Sequence, residues 1–384
     1  EIPLRLVGSE MCIRDRSMNM STHAMNYGSW ADWDWLKANV PVMCNWDGGI
    51  DYFLDPDDYT KKADGTNSDA ANIDYAGDAM AIVKKIYKKE YKVGNDRYVY
   101  FCERKVDDDF HAVGFNVLGK ERDYMLIPMF YGSIDSNGKM RSIAGQWSCL
   151  TASGSAADNA TGKAIGTAEQ YTAIQAASGK ALFFGGALTN TLADICILLS
   201  KSTDSQTAFG SGMCSTYVED KAQHYGTKIN TVIGGGQFYG SNDNKSFNKI
   251  FHSCVMGSYM LWQRDPYMLL INGRIKVSPD YTYDLTGAKY LDTGVNLAKN
   301  GYYATTQVVK DFGAVPNDEI ACSSATGYCD HTWVNAEITA VSLRFGYCAD
   351  GAIDGLWARA LIAVAADAWW DCGASKLLPA PAAA

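Results

Sequence analysis

No two cysteines in this chain are spaced CxxC, and neither HExxH nor GxSxG occurs in it. Those absences exclude the common zinc sites and the nucleophile elbow of the α/β-hydrolases. The five histidines, His23, His111, His224, His252 and His331, are scattered, and each reads as a surface or hydrogen-bonded residue. Nothing assembles a nucleophile, a base and an orienting group, so a hydrolase is not expected. Basic charge is also short, with 34 Lys and Arg against 43 Asp and Glu. An acidic balance without a basic stripe argues against a nucleic-acid partner. No run reaches the ~18 apolar residues of a membrane helix. Ala358 to Trp370 comes nearest, but Arg359 and Asp367 interrupt it, so no membrane insertion is expected.

What is present begins with a segment that does not read as protein. Residues 1–16, EIPLRLVGSEMCIRDR, have no period and no cap or hairpin logic. They resemble the in-frame translation of a transposase-based sequencing-library adapter, and are set aside. About 368 residues remain (384 less 16), enough for one large or two ordinary domains. Ten cysteines remain without Cys12, at spacings that suggest neither zinc nor a disulfide framework. They are expected to be reduced where the chain folds. Asp55, Asp57 and Asp58, and Asn242, Asp243 and Asn244, could hold calcium, but lack the spacing of an EF-hand loop and read as solvated turns. No cofactor or metal is expected.

Residues 17–70, with DGG, DPDD and DG, read as an irregular lead-in. Met80 to Lys89 fits helix or strand equally. Tyr98–Cys102, Ala112–Val117 and Tyr124–Tyr131 read as strands, with Pro128 confining the last to an edge or a bend. Thr151 to Lys180 is rich in Ala, Ser, Gly and Thr and reads as a long surface loop. The best helix runs from about Asn190 to Ser200, with Leu192, Ile195, Cys196 and Leu199 on one face behind Thr189 and Asn190 as caps. Cys196 then belongs to the core. The glycines of Ile233–Gly240 lack the Gly-Lys-Ser/Thr of a phosphate loop and read as tight backbone packing. Tyr267–Ile271, Asn272-Gly273 and Arg274–Ser278 spell a hairpin. The fold class is α+β, with short strands, long loops and one or two helices.

Four pieces carry a resemblance: DGGIDYFLDPDDYTKKADG (47–65), MLIPMFYGSIDSNGKMRSIAGQ (125–146), LLSKSTDSQTAFGSG (198–212) and INGRIKVS (271–278). In this order they resemble the C-type-lectin-like variable proteins of gut phages and bacteria. Those proteins are diversified by retroelements and are similar in fold to the formylglycine-generating enzyme. The likeness runs in pieces from about Asp47 to Ser375. It implies a C-type-lectin-like domain over 71–384, with a variable region at about 344–375. Leu343–Tyr347 stands where the family has an Arg-Gly-Gly-Trp-like strand, with Phe345 in place of a second Gly. Trp370–Ser375 stands where the family closes with Trp-x-x-Gly-Ala-Ser.

The alanine-heavy stretch between these landmarks has two readings. Leu356 to Trp370 contains good helix formers, but such a helix would be apolar almost all round, with Arg359 and Asp367 stranded. The family's mechanism instead mutates adenines, turning Asn codons into codons for Ala, Asp, Ile, Val, Leu, Arg or Gly. Lys, Glu, Gln and Met are unreachable that way, and none occurs between Ala349 and Asp371. Trp is unreachable too, so Trp357, Trp369 and Trp370 would be template-encoded. A variable β/loop region is the expected form.

The resemblance implies a non-enzymatic receptor-binding protein of a phage tail or bacterial cell surface, meeting a host or cell-surface receptor, protein or glycan. A homotrimer is an assembly common to tail-tip proteins. The expected variable or ligand-facing residues are Tyr347, Ala349, Asp350, Ala352, Ile353, Asp354, Ala358, Arg359, Ala360, Ile362, Ala363, Asp367 and Asp371, with Trp333, Trp357 and Trp369 as supports or contacts. Two alternatives stand beside it. A formylglycine-generating-type oxidase would use Cys329, Cys348 and Cys372 as exposed thiolates. A calcium-dependent lectin would need ligand motifs that are missing here.

Overall fold

The computed structural model describes residues 32–381 apart from 95, 147, 149–164, 217–235, 243–246, 299 and 319–321, together with two-residue strands at 17–18 and 25–26. Residues 1–16, His23, Cys149, His224, residues 233–235, Asp243 and Asn244 lie outside the described residues.

Two sheets carry the fold. The first runs Leu182–Phe183, Lys376–Pro379, Tyr124–Pro128, Gly77–Lys84, Pro41–Asn45 and Ile50–Phe53, every neighbouring pair antiparallel. A strand from the end of the chain therefore lies inside a sheet built mainly by its first third, between Leu182–Phe183 and Tyr124–Pro128. The near-continuous apolar run of Gly77–Lys84, GDAMAIVK, is buried except for the last residue, as expected for a strand covered on both faces. Lys376 is also buried here and is held by an ion pair to Asp78, which Arg141 shares at 3.3 Å. Pairing is what makes such burial tolerable.

The second sheet runs Leu291–Asn296, Arg274–Val277, Trp262–Ile271, Thr339–Arg344, Arg359–Ala363, His331–Val334 and Tyr302–Tyr303, and Cys372–Gly373 pairs alongside Trp262–Gln263. Two of its pairings are parallel, His331–Val334 with Arg359–Ala363 and Trp262–Gln263 with Cys372–Gly373. Pro266 sits inside the strand Trp262–Ile271, where the register with Thr339–Arg344 shifts between Asp265 and Leu269. A bulge is where a strand accepts a residue without an N–H. The expected hairpin is present: Ile271 pairs Arg274, and Asn272 and Gly273 have φ of 49° and 78°, the left-handed pair a type I′ turn requires.

The helix Gly186–Ser200 packs against both sheets' cores, and all of it but Ser200 is buried. It is apolar almost all round because it has no solvent face. Leu192, Ile195, Cys196 and Leu199 are in the core as expected. The start differs from expectation. Thr189 and Asn190 lie one turn inside the helix, and Asp265 Oδ1 accepts from Gly186 N at 2.8 Å at its actual beginning. Gly114, with φ of +89°, lets the preceding loop press on this helix, since a Cβ there would stand 2.4 Å from Leu188 Cα.

Four expectations are corrected. Within the loop expected at 151–180, Thr167–Ala177 is a helix, while 151–164 lie outside the described residues. Its buried face is Thr167, Gln170, Ala173, Ile174 and Ala177, too polar and too small to show an apolar period. The strand expected at 112–117 shortens to Asn116–Val117. Pro41–Asn45 and Ile50–Phe53, inside the expected irregular lead-in, are strands of the first sheet. The one or two helices expected are five among the described residues, three of them only four or five residues long. The bend allowed for at Pro128 is present, since the strand ends there, opposite Met80, and the chain bends at 129–130.

Candidate ligand-binding surface

The C-terminal stretch is not helical beyond a single 3-10 turn, Gly351–Ile353, and between Leu356 and Trp370 it forms turns and the strand Arg359–Ala363. Side chains on a strand alternate faces, and here the two faces differ sharply. Leu361 joins the inner core beneath the sheet, while Ala358, Ala360 and Ile362 pack on the outer side with Trp262, Leu343 and Cys372. Register sets the neighbours: Ala360 lies between Trp333 and Leu343, and Arg359 between Thr332 and Arg344.

On the outer face the rings form a continuous run. Tyr303 meets His331 at 5.3 Å and His331 meets Trp333 at 4.3 Å. Trp333 stands edge-on to Trp262 at 5.4 Å, and Trp262 continues to Tyr347 at 6.3 Å and Tyr347 to Trp370 at 6.1 Å. Trp262 is buried and the other five are half-buried. Ala358 and Ala360 pack in the same apolar cluster as Trp262 and Trp333. At one end stand Asp350 and Asp371. Burial first, then the Asp371 charge, pushes the Asp350 carboxyl up to about 7.

On the inner face the groups are polar and charged. Arg344 forms a fully buried ion pair with Asp265 and donates from Nη1 to Asn190 Oδ1 at 2.9 Å and from Nη2 to Gly186 O at 3.1 Å. Arg359 donates from Nη2 to the same Asn190 oxygen at 2.9 Å. The Asn190 amide in turn donates to Phe312 O and Ala314 O at 3.3 and 3.2 Å. Trp357 lies between two guanidiniums, Arg97 at 5.4 Å and Arg359 at 5.9 Å from its ring centroid.

The expected site residues divide between these surroundings. Ala349, Ala352 and Trp369 are exposed, and Tyr347, Asp350, Ile353, Ile362, Asp367, Asp371 and Trp333 are half-buried around the outer face and its rim. Asp354, Trp357, Ala358, Arg359, Ala360 and Ala363 are buried. For Asp354, Ala358, Arg359, Ala360 and Ala363 the outward-facing expectation is corrected, while a buried Trp357 is compatible with the support expected of it. Ala358, Ala360 and Ala363 pack in the outer cluster with Trp262, Arg359 points inward, and Asp354 lies against the backbone of Gly346, where a Cβ would stand 1.7 Å from its Oδ1. Sequence reasoning missed Tyr303, His331 and Trp262. The alternation in His331-Thr-Trp-Val334 was the signal that could have found two neighbouring members of the run.

The groups named for other chemistries also have definite places. Cys329, Cys348 and Cys372 are free and buried. Burial pushes all three thiols up, Cys348 to about 12, the opposite of an activated thiolate. Asp55 Oδ1 accepts from Asp57 N and Asp58 N at 2.8 and 3.1 Å, which makes this acidic group a turn. Among the described residues no three His, Cys, Asp or Glu side chains cluster as metal ligands, and no helix is long and apolar enough to cross a membrane.

The fold and site together define a mixed α+β protein with an aromatic outer sheet face beside an alanine-rich stretch. No protein-family model matches the chain, and no curated protein matches it either.

Proposed function

We propose that this is a non-enzymatic ligand-binding protein with a C-type-lectin-like fold, of phage-tail or bacterial-surface type, whose C-terminal region meets a host or cell-surface receptor. The observation that carries the reading is the continuous run of rings from Tyr303 to Trp370, half-buried except for the buried Trp262, with exposed Ala349 and Ala352 in the segment that follows Tyr347. Half-buried aromatic side chains offer large contact area at little entropy cost, and such residues anchor binding surfaces. The rings are fixed from below by packed strands, while the bordering loops tolerate change without cost to the core. Buried thiols with raised pKa favour this reading over an oxidase.

Diversification by a retroelement belongs to the same proposal, and deep sequencing of the locus across residues 340–375 tests it. The expected result is substitution confined to adenine positions of a neighbouring near-identical repeat, densest at the codons of Ala349, Ala352, Ile353 and Ile362. An invariant region with no such repeat would leave a fixed binding protein and sink the diversification mechanism.

A further inference from the structure

Asp354 closes the 3-10 turn Gly351–Ile353 with its carboxyl turned into the protein. The residue is 0% exposed, and its carboxyl lies against the backbone of Gly346. Neither carboxyl oxygen has a hydrogen-bond partner among the described residues. The turn around it is docked by other groups. Gly351 N donates to Cys214 O at 2.9 Å, and Gln206 Nε2 donates to Gly351 O and Asp354 O at 2.8 and 2.9 Å. Leu356 N donates to Ser205 Oγ at 3.2 Å. All four contacts are with residues 205–214, and none of them uses the carboxyl.

The titratable groups that face this carboxyl are all acids. Its own segment brings Tyr347, Cys348 and Asp350, and the loop after Phe209 brings Cys214. The residue before His331 is Asp330, and the bend after Pro128 brings Tyr131. No Lys, Arg or His is among them, and Arg359 acts on Asp330 instead. Asp330 is itself pressed onto the same segment, since a Cβ on Gly355 would stand 2.1 Å from its Oδ1. A carboxylate buried without a cation or well-placed donors is not tolerated in its ionised form. The docked turn therefore keeps Asp354 protonated. Burial first, and then the Asp350 charge, hold its carboxyl well above the usual range. The Tyr347 backbone N–H opposes them most weakly and without a hydrogen bond of normal geometry.

We propose that the turn from Gly346 to Gly355 is a pH-operated latch beside the aromatic face, docked while Asp354 carries its proton and released when the proton leaves. Tyr347, Ala349 and Ala352 lie on this turn, so release moves one ring and the exposed alanines away from the sheet. The latch is a property of the chain alone and stands whether or not the outer face binds a receptor. In the released turn Asp354 has the ordinary carboxylate value of about 4, and in the docked turn a raised one. Docking is at full strength below about pH 4, and between the two values each pH unit upward weakens it about tenfold. Asp350, pushed up to about 7, acts in the same direction up to that pH.

The test is native-state hydrogen exchange of the full chain, read by mass spectrometry from pH 5 to pH 9. Protection is taken relative to the same residues in the denatured chain at each pH, which removes the intrinsic pH dependence of exchange. Protection of residues 346–356 is expected to fall at least ~100-fold across this range, while the helix Gly186–Ser200 keeps its own. Asp354→Asn cannot ionise, and the fall is expected to be at least ~10-fold smaller in that variant. Should the variant not fold, the profile of the unaltered chain still decides. Protection of the turn that does not change with pH overturns the latch. So does an equal fall in Asp354→Asn, or a fall shared by the helix, which would be unfolding of the whole chain.

Discussion

Arg359 Nη2 donates to Asn190 Oδ1 across 2.9 Å, so a residue of the alanine-rich stretch is tied directly to the central helix. The same oxygen accepts from Arg344, and the Asn190 amide reaches two carbonyls. Asn190→Ala would leave two buried guanidiniums and two carbonyls short of partners at once. Its expected cost is about 3 kcal/mol, the range for breaking a buried polar network, read as a lower denaturant midpoint with unchanged slope. A cost below about 1 kcal/mol would mean that water replaces Asn190 without loss.

Phe345 carries a φ of +77° while fully buried, and packs 6.5 Å from Phe184. A left-handed backbone is one that glycine adopts freely and a bulky side chain rarely does. Truncating the ring costs roughly 3–5 kcal/mol, but the two truncations are expected to rank unusually. Phe345→Gly should be at least as stable as Phe345→Ala, because glycine escapes the ~1–2 kcal/mol left-handed penalty. Thermal unfolding of the pair checks it, and a clearly more stable alanine variant would show that the backbone relaxes.

Lys249 is 1% exposed, and its amine lies 4.5 Å from the Tyr59 ring centroid and 5.5 Å from that of Tyr239. The ring faces favour the ammonium, but burial wins and lowers the group to about 7. Between about pH 7 and the ordinary lysine value, the unfolded chain binds a proton that the folded chain does not. Stability should therefore rise with pH in that window, by up to about 1.4 kcal/mol per unit. Lys249→Met removes this contribution, so the stability difference between variant and parent should shrink from pH 7 to pH 9. A constant difference would place the ammonium, charged, inside the fold. Neighbouring His252, lowered to about 3 first by burial and then by Lys249, acts in the same direction between pH 3 and 6.5 and serves as an internal comparison at lower pH.

The legible parts of the fold were the local ones. Asn272-Gly273 specified its hairpin because the turn and its register are set within a dozen residues. The Gly186–Ser200 helix showed its period, but not its start, because Gly186 to Thr189 are held by Asp265 and by burial under both sheets. The helix Thr167–Ala177 was invisible because it buries Thr, Gln and Ala, and its Gln170 donates to the carbonyl of Cys372 across 202 residues. The site was legible as a region and not as a surface. Its rings come from separate segments between Tyr303 and Trp370, with Trp262 joined to them only by sheet register, and alternation along Arg359–Ile362 decides which side each residue serves, until a register shift leaves Ala363 in the same outer cluster.

The central claim is that the outer aromatic face binds a cell-surface receptor. Labelled protein applied to a panel of cultured bacterial cells and read by flow cytometry measures this directly, with Trp333→Ala and Tyr347→Ala compared against Tyr91→Ala. Tyr91 is exposed on a separate ribbon, Tyr87–Val93 paired with Asp96–Cys102, and takes no part in the run of rings. The account predicts at least a ~10-fold loss of binding for the two face variants, as expected of anchoring residues worth about 1.4 kcal/mol or more each, with the Tyr91 variant unaffected and all melting temperatures preserved. Face variants that stay folded and bind every responsive strain like the parent would contradict it.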